Sequence, residues 1–443
     1  MSNQKRVPIV SKDLFFPFII ITSLFALWGI ANDLTNPMVS AFKKVMPELT
    51  NIQASLVQFA FYFGYFFMAL PAALFIRKFT YKSGILLGLT LYAIGAFMFY
   101  PAAAYEDYNF FLISLWVITC GLAFLETTAN PLVLALGAKE TATQRLNLAQ
   151  AFNPVGSLTG MIIAQVFVIS ALRSDDYTVE AYNALASNEL AAIRENDLGV
   201  ISVPYISLGV LVLVIMTVIF FTKIPKTPVE EKMSLSASFK KLFANKTYLG
   251  GVLAQAACVG SQIMCWTYIF QYVDNLNEVT GMSLTATNYN IAAMILFLSG
   301  RWIGTGLMRR LNPSKVLMIF GTGGALCAIG AITLPGMTGL ISLVGISIFM
   351  SIMFPTIYGI ALNNMGDEAK IGSAGLVMAI VGGAFLPVVQ GAILDMGGDG
   401  FADVKFLGYI PEINFSFILP ALCLAIVALY GYTTLIKSKV AIS

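Results

Sequence analysis

Twelve apolar runs, each near or above the roughly 20 residues needed to cross a bilayer, punctuate this sequence and restrict its fold more than any other feature. They fall at about 14–38, 52–76, 83–104, 109–137, 146–171, 200–222, 247–273, 286–308, 315–335, 337–362, 371–394 and 413–436. In lipid, an isolated strand leaves peptide N–H and C=O groups without partners, so each run is expected to be a helix. Composition agrees: 58% of residues are hydrophobic and 11% charged, against about 25% charged in a soluble domain. The first dozen residues, MSNQKRVPIVSK, are polar, and the run after them is too long for a signal peptide. The expected fold is an all-α membrane protein of twelve transmembrane helices.

Basic residues set the expected orientation. With the N-terminus in the cytoplasm, 20 of the 26 Lys and Arg fall on cytoplasmic segments and five on outer loops (Lys43, Lys44, Arg173, Arg194, Lys405). Both termini are therefore expected inside, in a bacterial inner membrane. Two loops are long. Residues 172–199 face outside, where VEAYNALASNELAAIREN could form a surface helix, and residues 223–246 form a basic cytoplasmic linker. The linker divides the chain into a six-helix bundle over 1–222 and a second over 247–443. The halves echo each other: residues 71–97 and 303–332 each end a span in a basic pair (Arg77-Lys78, Arg309-Arg310) and run on to Ile-Gly-Ala. Paired, pseudo-symmetric bundles point to a transporter with its site near mid-membrane.

Glu126 lies in GLAFLETTANPLV, a stretch that otherwise suits lipid. A charge at the bilayer centre costs between ~3 and ~17 kcal/mol, and protonation is the cheapest escape for a buried carboxyl. A group protonated when dry and ionised when wet carries protons; the bland alternative is a structural carboxyl bonded to a neighbouring helix. Asp33, in ANDLTNP, shares a helix face with Asn36, although near a span end it could be an ordinary wet carboxylate. Glu126 with Asn130-Pro131 repeats the arrangement of Asp33 with Asn36-Pro37: an acid one turn before Asn-Pro.

Amides supply the second pattern. In RLNLAQAFN, Asn147, Gln150 and Asn153 recur every three residues. Their paired donors and acceptors suit a ligand made of hydroxyls, or else they join helices. In span 7, Gln255, Gln262 and Trp266 share a face, offering polar groups beside an aromatic wall; Trp266 could equally anchor an interface. Arg301, in LSGRWIG, reads as the only cation within a span. It either pairs with an acid or reaches the cytoplasmic edge, in a structural or gating role.

Much else is excluded. The chain has no histidine, so near-neutral proton transfer falls to carboxylates. Its five cysteines all sit in apolar stretches and read as small buried hydrophobes, not a disulfide or metal set. Neither a phosphate-binding Gly-Lys-Ser/Thr loop nor a nucleophile triad occurs, which argues against an enzyme or a nucleotide-driven pump. No cofactor is expected, only a proton as coupling ion. The net charge of +3 gives no reason to invoke nucleic acid.

FALWGIAN, VQFAFYFGYF, LETTANP, RLNLAQAFN, VGSQIMCWTYIFQY, GRWIGTGL and FPTIYGIALNNMG together resemble the bacterial L-fucose–proton symporter branch of the major facilitator superfamily. That resemblance implies two bundles around a central cavity, alternating access, and proton-coupled uptake of a monosaccharide by a monomer. It implies proton coupling at Glu126 and sugar contacts at Gln150, Asn153, Gln262 and Trp266, with Asn36 and Asn130 as further candidates. Where the branch reads Asn-Asn-Leu-Asn-Asp, this chain has Asn32-Asp33-Leu34-Thr35-Asn36. Either Asp33 takes over the proton role from Asn36's position, or Glu126 alone titrates. Glucose/galactose carriers of the branch tend to have Gln at the place of Glu126, so the acid favours L-fucose. The alternatives are another hexose symporter of the branch or a drug or metabolite exporter of the same fold.

Overall fold

A computed structural model describes residues 7–35, 38–46, 48–49, 51–177, 181–182, 184–224, 234–394, 405–406, 408 and 410–440. Among these, twelve helical segments are long and apolar enough to cross a membrane. Spans 1 to 6 are Lys12–Thr35, Phe59–Lys78, Tyr81–Ala104, Tyr108–Ala135, Lys139–Ala171 and Ser187–Phe221. Spans 7 to 12 are Lys246–Thr280, Ala286–Leu307, Pro313–Thr333, Gly336–Ala361, Ala369–Leu394 and Glu412–Ser438. A two-residue antiparallel pair, Lys405–Phe406 with Ile410–Pro411, precedes span 12.

One expectation fails between spans 5 and 6. Residues 187–199 are not a separate surface helix: one helix runs unbroken from Ser187 to Phe221. Glu, Leu, Ala and Arg in SNELAAIREN all favour helix, and nothing there interrupts it. The extension is also held inward, because the buried Asp197 carboxylate accepts the Arg173 and Ser174 backbone N–H groups (3.0 and 2.8 Å). In the basic linker, Ser234 caps a short helix, Leu235–Ala244.

The described residues fall into two compact units. An N-terminal unit comprises those of Lys12–Leu136 and Phe152–Pro228; a C-terminal unit comprises those of Met1–Ser11, Gly137–Ala151 and Val229–Ser443. Within the N-terminal unit, span 3 packs on spans 4 and 6, span 2 on span 4, and span 1 on the second helix of span 5. Within the C-terminal unit, span 9 packs on spans 10 and 12, span 8 on span 10, and span 7 on span 11. Each neighbour pair recurs six spans later, which is the internal repeat in structural form.

The packing is close enough to need glycine. A Cβ on Gly156 would stand 2.0 Å from the Ala26 carbonyl oxygen, and one on Gly29 2.1 Å from that of Asn153. Spans 1 and 5 therefore touch backbone to backbone, the use of small residues seen at membrane helix contacts.

Spans 5 and 10 are each two helices. Span 5 has Ala142–Gln150 and then Asn153–Ile163; span 10 has Gly336–Met350 and then Met353–Ala361. Pro154 follows the first break and Pro355 the second. A proline has no N–H for the carbonyl four residues back, so Gln150 O and Ser351 O receive no bond from residues 154 and 355. Pro131 does not break span 4, which is one helix from Tyr108 to Ala135.

Candidate functional site

In the N-terminal unit, the long helix of span 4 carries Glu126 where its neighbours on both sides are buried. The residue is partly exposed, yet its Oε2 has no accessible surface and no hydrogen-bond donor among the described residues. No ion pair among those residues involves it. A carboxylate in that setting lacks both water and a counter-charge on one oxygen, which favours the neutral acid. One turn on, Asn130 is fully buried and donates Nδ2 to the Glu126 backbone oxygen (3.0 Å). Asn130 thus works at least partly as a local helix brace.

Asp33 lies on the helix of span 1, described from Phe15 to Thr35, and is partly exposed. Asn36 lies outside the described residues. Two tyrosines of span 2 lie near these acids: Tyr62 is within electrostatic range of Asp33, and Tyr65 within range of Glu126 and Tyr62. Sequence reading passed over this pair; its signal is the three-residue spacing in FYFGY, which puts both phenols on one helix face. Asn153 is half-buried and donates Nδ2 to Phe25 O of span 1 (3.3 Å), beside the glycine contact.

The C-terminal unit holds the other candidates. Gln262 is buried, and its Nε2 donates to Met350 O (3.4 Å). Trp266 donates Nε1 to Ser347 Oγ (3.2 Å) and meets Phe297 edge to face at 5.1 Å. The shared face of span 7 is thus applied to span 10. Gln255, one more residue of that face, is fully buried, and neither amide atom has a partner among the described residues. Gln150 is buried at the C-terminal end of its helix. Asn147 exchanges hydrogen bonds with Thr356 (3.1 Å), the helix-joining role; the polar stripe of span 5 is interrupted at the 151–152 break.

Arg301 is buried and donates Nη1 to Gln150 O (2.8 Å) and Nε to Ser351 O, with its guanidinium over the Phe297 ring at 4.8 Å. It is not the only buried cation. Arg145, with no exposed surface, donates Nη1 to Ile9 O, Ala138 O and Thr141 Oγ1. The sequence reading began span 5 at residue 146 and so left Arg145 in the loop.

Among the described residues, twelve apolar helices in a six-span repeat, carrying intramembrane acids and amides, define a polytopic membrane transporter. The chain belongs to the Major Facilitator Superfamily, whose model matches residues 14–387, in the branch that includes L-fucose-proton symporters. It is 49% identical over 429 residues to a Haemophilus influenzae protein named L-fucose-proton symporter, covering 96% of this chain and 97% of the relative. It is 36% identical to the protein of that name from Escherichia coli K12, covering 95% and 93%. A crystal structure of the E. coli fucose:proton symporter superposes with a TM-score of 0.84 and 32% identity, covering 96% of this chain and 99% of that one. The family is one of transporters, not of enzymes.

Proposed function

We infer that this chain is a proton-coupled sugar symporter that imports L-fucose by alternating access. Near-full-length kinship with proteins bearing that name carries the reading, and the unpaired carboxyl oxygen of Glu126 supplies the chemistry. The proton is the coupling ion, and no cofactor is required.

Glu126 takes a proton from the outer side, with Asp33 as a second acceptor. Neutralising the acid removes the desolvation cost of closing the cavity. Sugar hydroxyls then bond to Gln150, Asn153 and Gln262, with Asn130 and Asn36 as further contacts and a sugar face against Trp266. When water reaches Glu126 from inside, the acid ionises and releases its proton. Coupling requires that protonation raise sugar affinity and that sugar raise proton affinity by the same factor. The protein sits as a monomer in the bacterial inner membrane with both termini cytoplasmic; residues 1–222 and 247–443 form the moving bundles and 223–246 the linker.

The test is uptake of labelled L-fucose, D-galactose and D-glucose into proteoliposomes under an imposed inward proton gradient. L-Fucose should accumulate above its outside concentration, with alkalinisation of the medium, and the accumulation should vanish with a protonophore. Preferential accumulation of either hexose would move the chain to the sister specificity; equilibration without accumulation would remove the proton coupling.

A further inference from the structure

Arg301 donates to Gln150 O and Ser351 O, and these are the carbonyls that residues 154 and 355 would bond in a continuous helix but, being prolines, do not. One guanidinium therefore stands in for both absent proline N–H groups, one in each broken span. The coincidence has an electrostatic counterpart. Gln150 ends one helix, and Ser351 directly follows the end of another at Met350. Each helix C-terminus carries roughly half a negative charge, so two together offset about one cation. That explains how Arg301 is buried with no carboxylate partner among the described residues. The planar fork of arginine can address two acceptors in fixed directions, which lysine cannot.

We propose that Arg301 is a positioning residue for sugar binding: it replaces the peptide donors removed by Pro154 and Pro355, and so fixes the end of the helix that presents Gln150. This rests on the reading of Gln150 as a sugar ligand. The two prolines each withhold one peptide donor in mid-span from spans 5 and 10, and in this conformation Arg301 holds those ends in register without closing the helices. The break residues stay in the right-handed helical region: Ala151 at φ −65°, ψ −15° and Phe152 at φ −84°, ψ −16° in span 5, and Ser351 at φ −55°, ψ −40° and Ile352 at φ −98°, ψ −7° in span 10. A modest adjustment toward regular helix would thus let a new N–H at position 154 or 355 reach the carbonyl four residues back.

This alignment makes the idea testable by rescue. Arg301→Met should weaken equilibrium binding of labelled L-fucose at least about tenfold, the scale of losing charge-assisted hydrogen bonds, and lower the thermal midpoint of the sugar-free protein in detergent. Arg301→Lys should recover only part of either. Adding Pro154→Ala and Pro355→Ala to Arg301→Met should bring binding back to within about threefold of wild type and restore the midpoint, because the peptide donors return. If Arg301→Met alone fails to fold and the triple variant folds, the proposal stands; if the triple variant also fails, it falls. Unchanged fucose binding in a folded Arg301→Met overturns it, as does a restored midpoint without restored binding. If wild type binds no fucose, the transport reading fails instead, and the thermal arm still decides whether the prolines and Arg301 compensate: a midpoint not regained on proline removal overturns it.

Discussion

Glu126→Gln is expected to abolish uphill sugar transport while leaving the protein folded and able to exchange sugar. Glutamine matches the shape of a protonated glutamic acid but cannot lose a proton. A 100 mV driving force on one charge is worth ~2.3 kcal/mol, which corresponds to roughly 50-fold accumulation; the variant should fall to a ratio of one. Sugar-driven alkalinisation should be absent, and counterflow of labelled sugar should persist. Binding should also lose its dependence on pH over the range where wild-type affinity falls as the acid ionises. Normal sugar-driven proton influx in this variant would refute Glu126 as the proton carrier. Asp33→Asn separates the two readings of the first-span acid: full coupling would leave Glu126 as the sole titrating group.

A second large effect is expected where spans 1 and 5 meet. In Gly156→Ala, the added methyl would overlap the Ala26 carbonyl, since the ideal Cβ lies 2.0 Å from that oxygen. The obstacle is backbone, which cannot rotate aside as a side chain does. The loss should therefore reach or exceed the ~1–3 kcal/mol typical of an overpacked core, seen as a lower thermal midpoint and a smaller monodisperse fraction in detergent. Gly199→Ala is the control. No heavy atom lies within 4 Å of its Cβ position in the long helix of span 6, so alanine should be neutral or stabilise by ~0.5–1 kcal/mol. Gly382 in the C-terminal unit repeats the first case, with the Ala256 carbonyl 2.4 Å from its Cβ position; its alanine variant should be damaged similarly. Equal behaviour of Gly156→Ala and Gly199→Ala would mean that the close approach of spans 1 and 5 does not limit stability.

These two cases mark how far the residues alone could be read. Glu126 was conspicuous in sequence because an acid in an apolar run has few harmless explanations. The architecture was equally visible, since a run that spans a bilayer has only helix open to it. The spacing of Gln262 and Trp266 correctly put them on one helix face, which the structure applies to span 10. Asn147 was ambiguous between ligand and brace, and only its contact with Thr356, 209 positions along the chain, decides for the brace. The close approach at Gly156 had no sequence signal of its own, because which of the 37 glycines meets a backbone depends on a partner elsewhere in the chain. Arg145 was missed because a cation at a span edge ordinarily reads as loop, whereas here three oxygen acceptors surround it.

The sequence by itself determined the number of spans, the helical class, the two-fold repeat and the presence of an acid that must be neutral or solvated. These follow from the local cost of placing polar groups in hydrocarbon, a property of each stretch taken alone. Tertiary structure alone decided where Arg301 finds its counter-charge and that both carbonyls it reaches are ones a proline four residues on cannot bond. Those facts depend on groups about 50 and 150 residues apart in the chain, and distance in space between such groups is not encoded in any window of sequence.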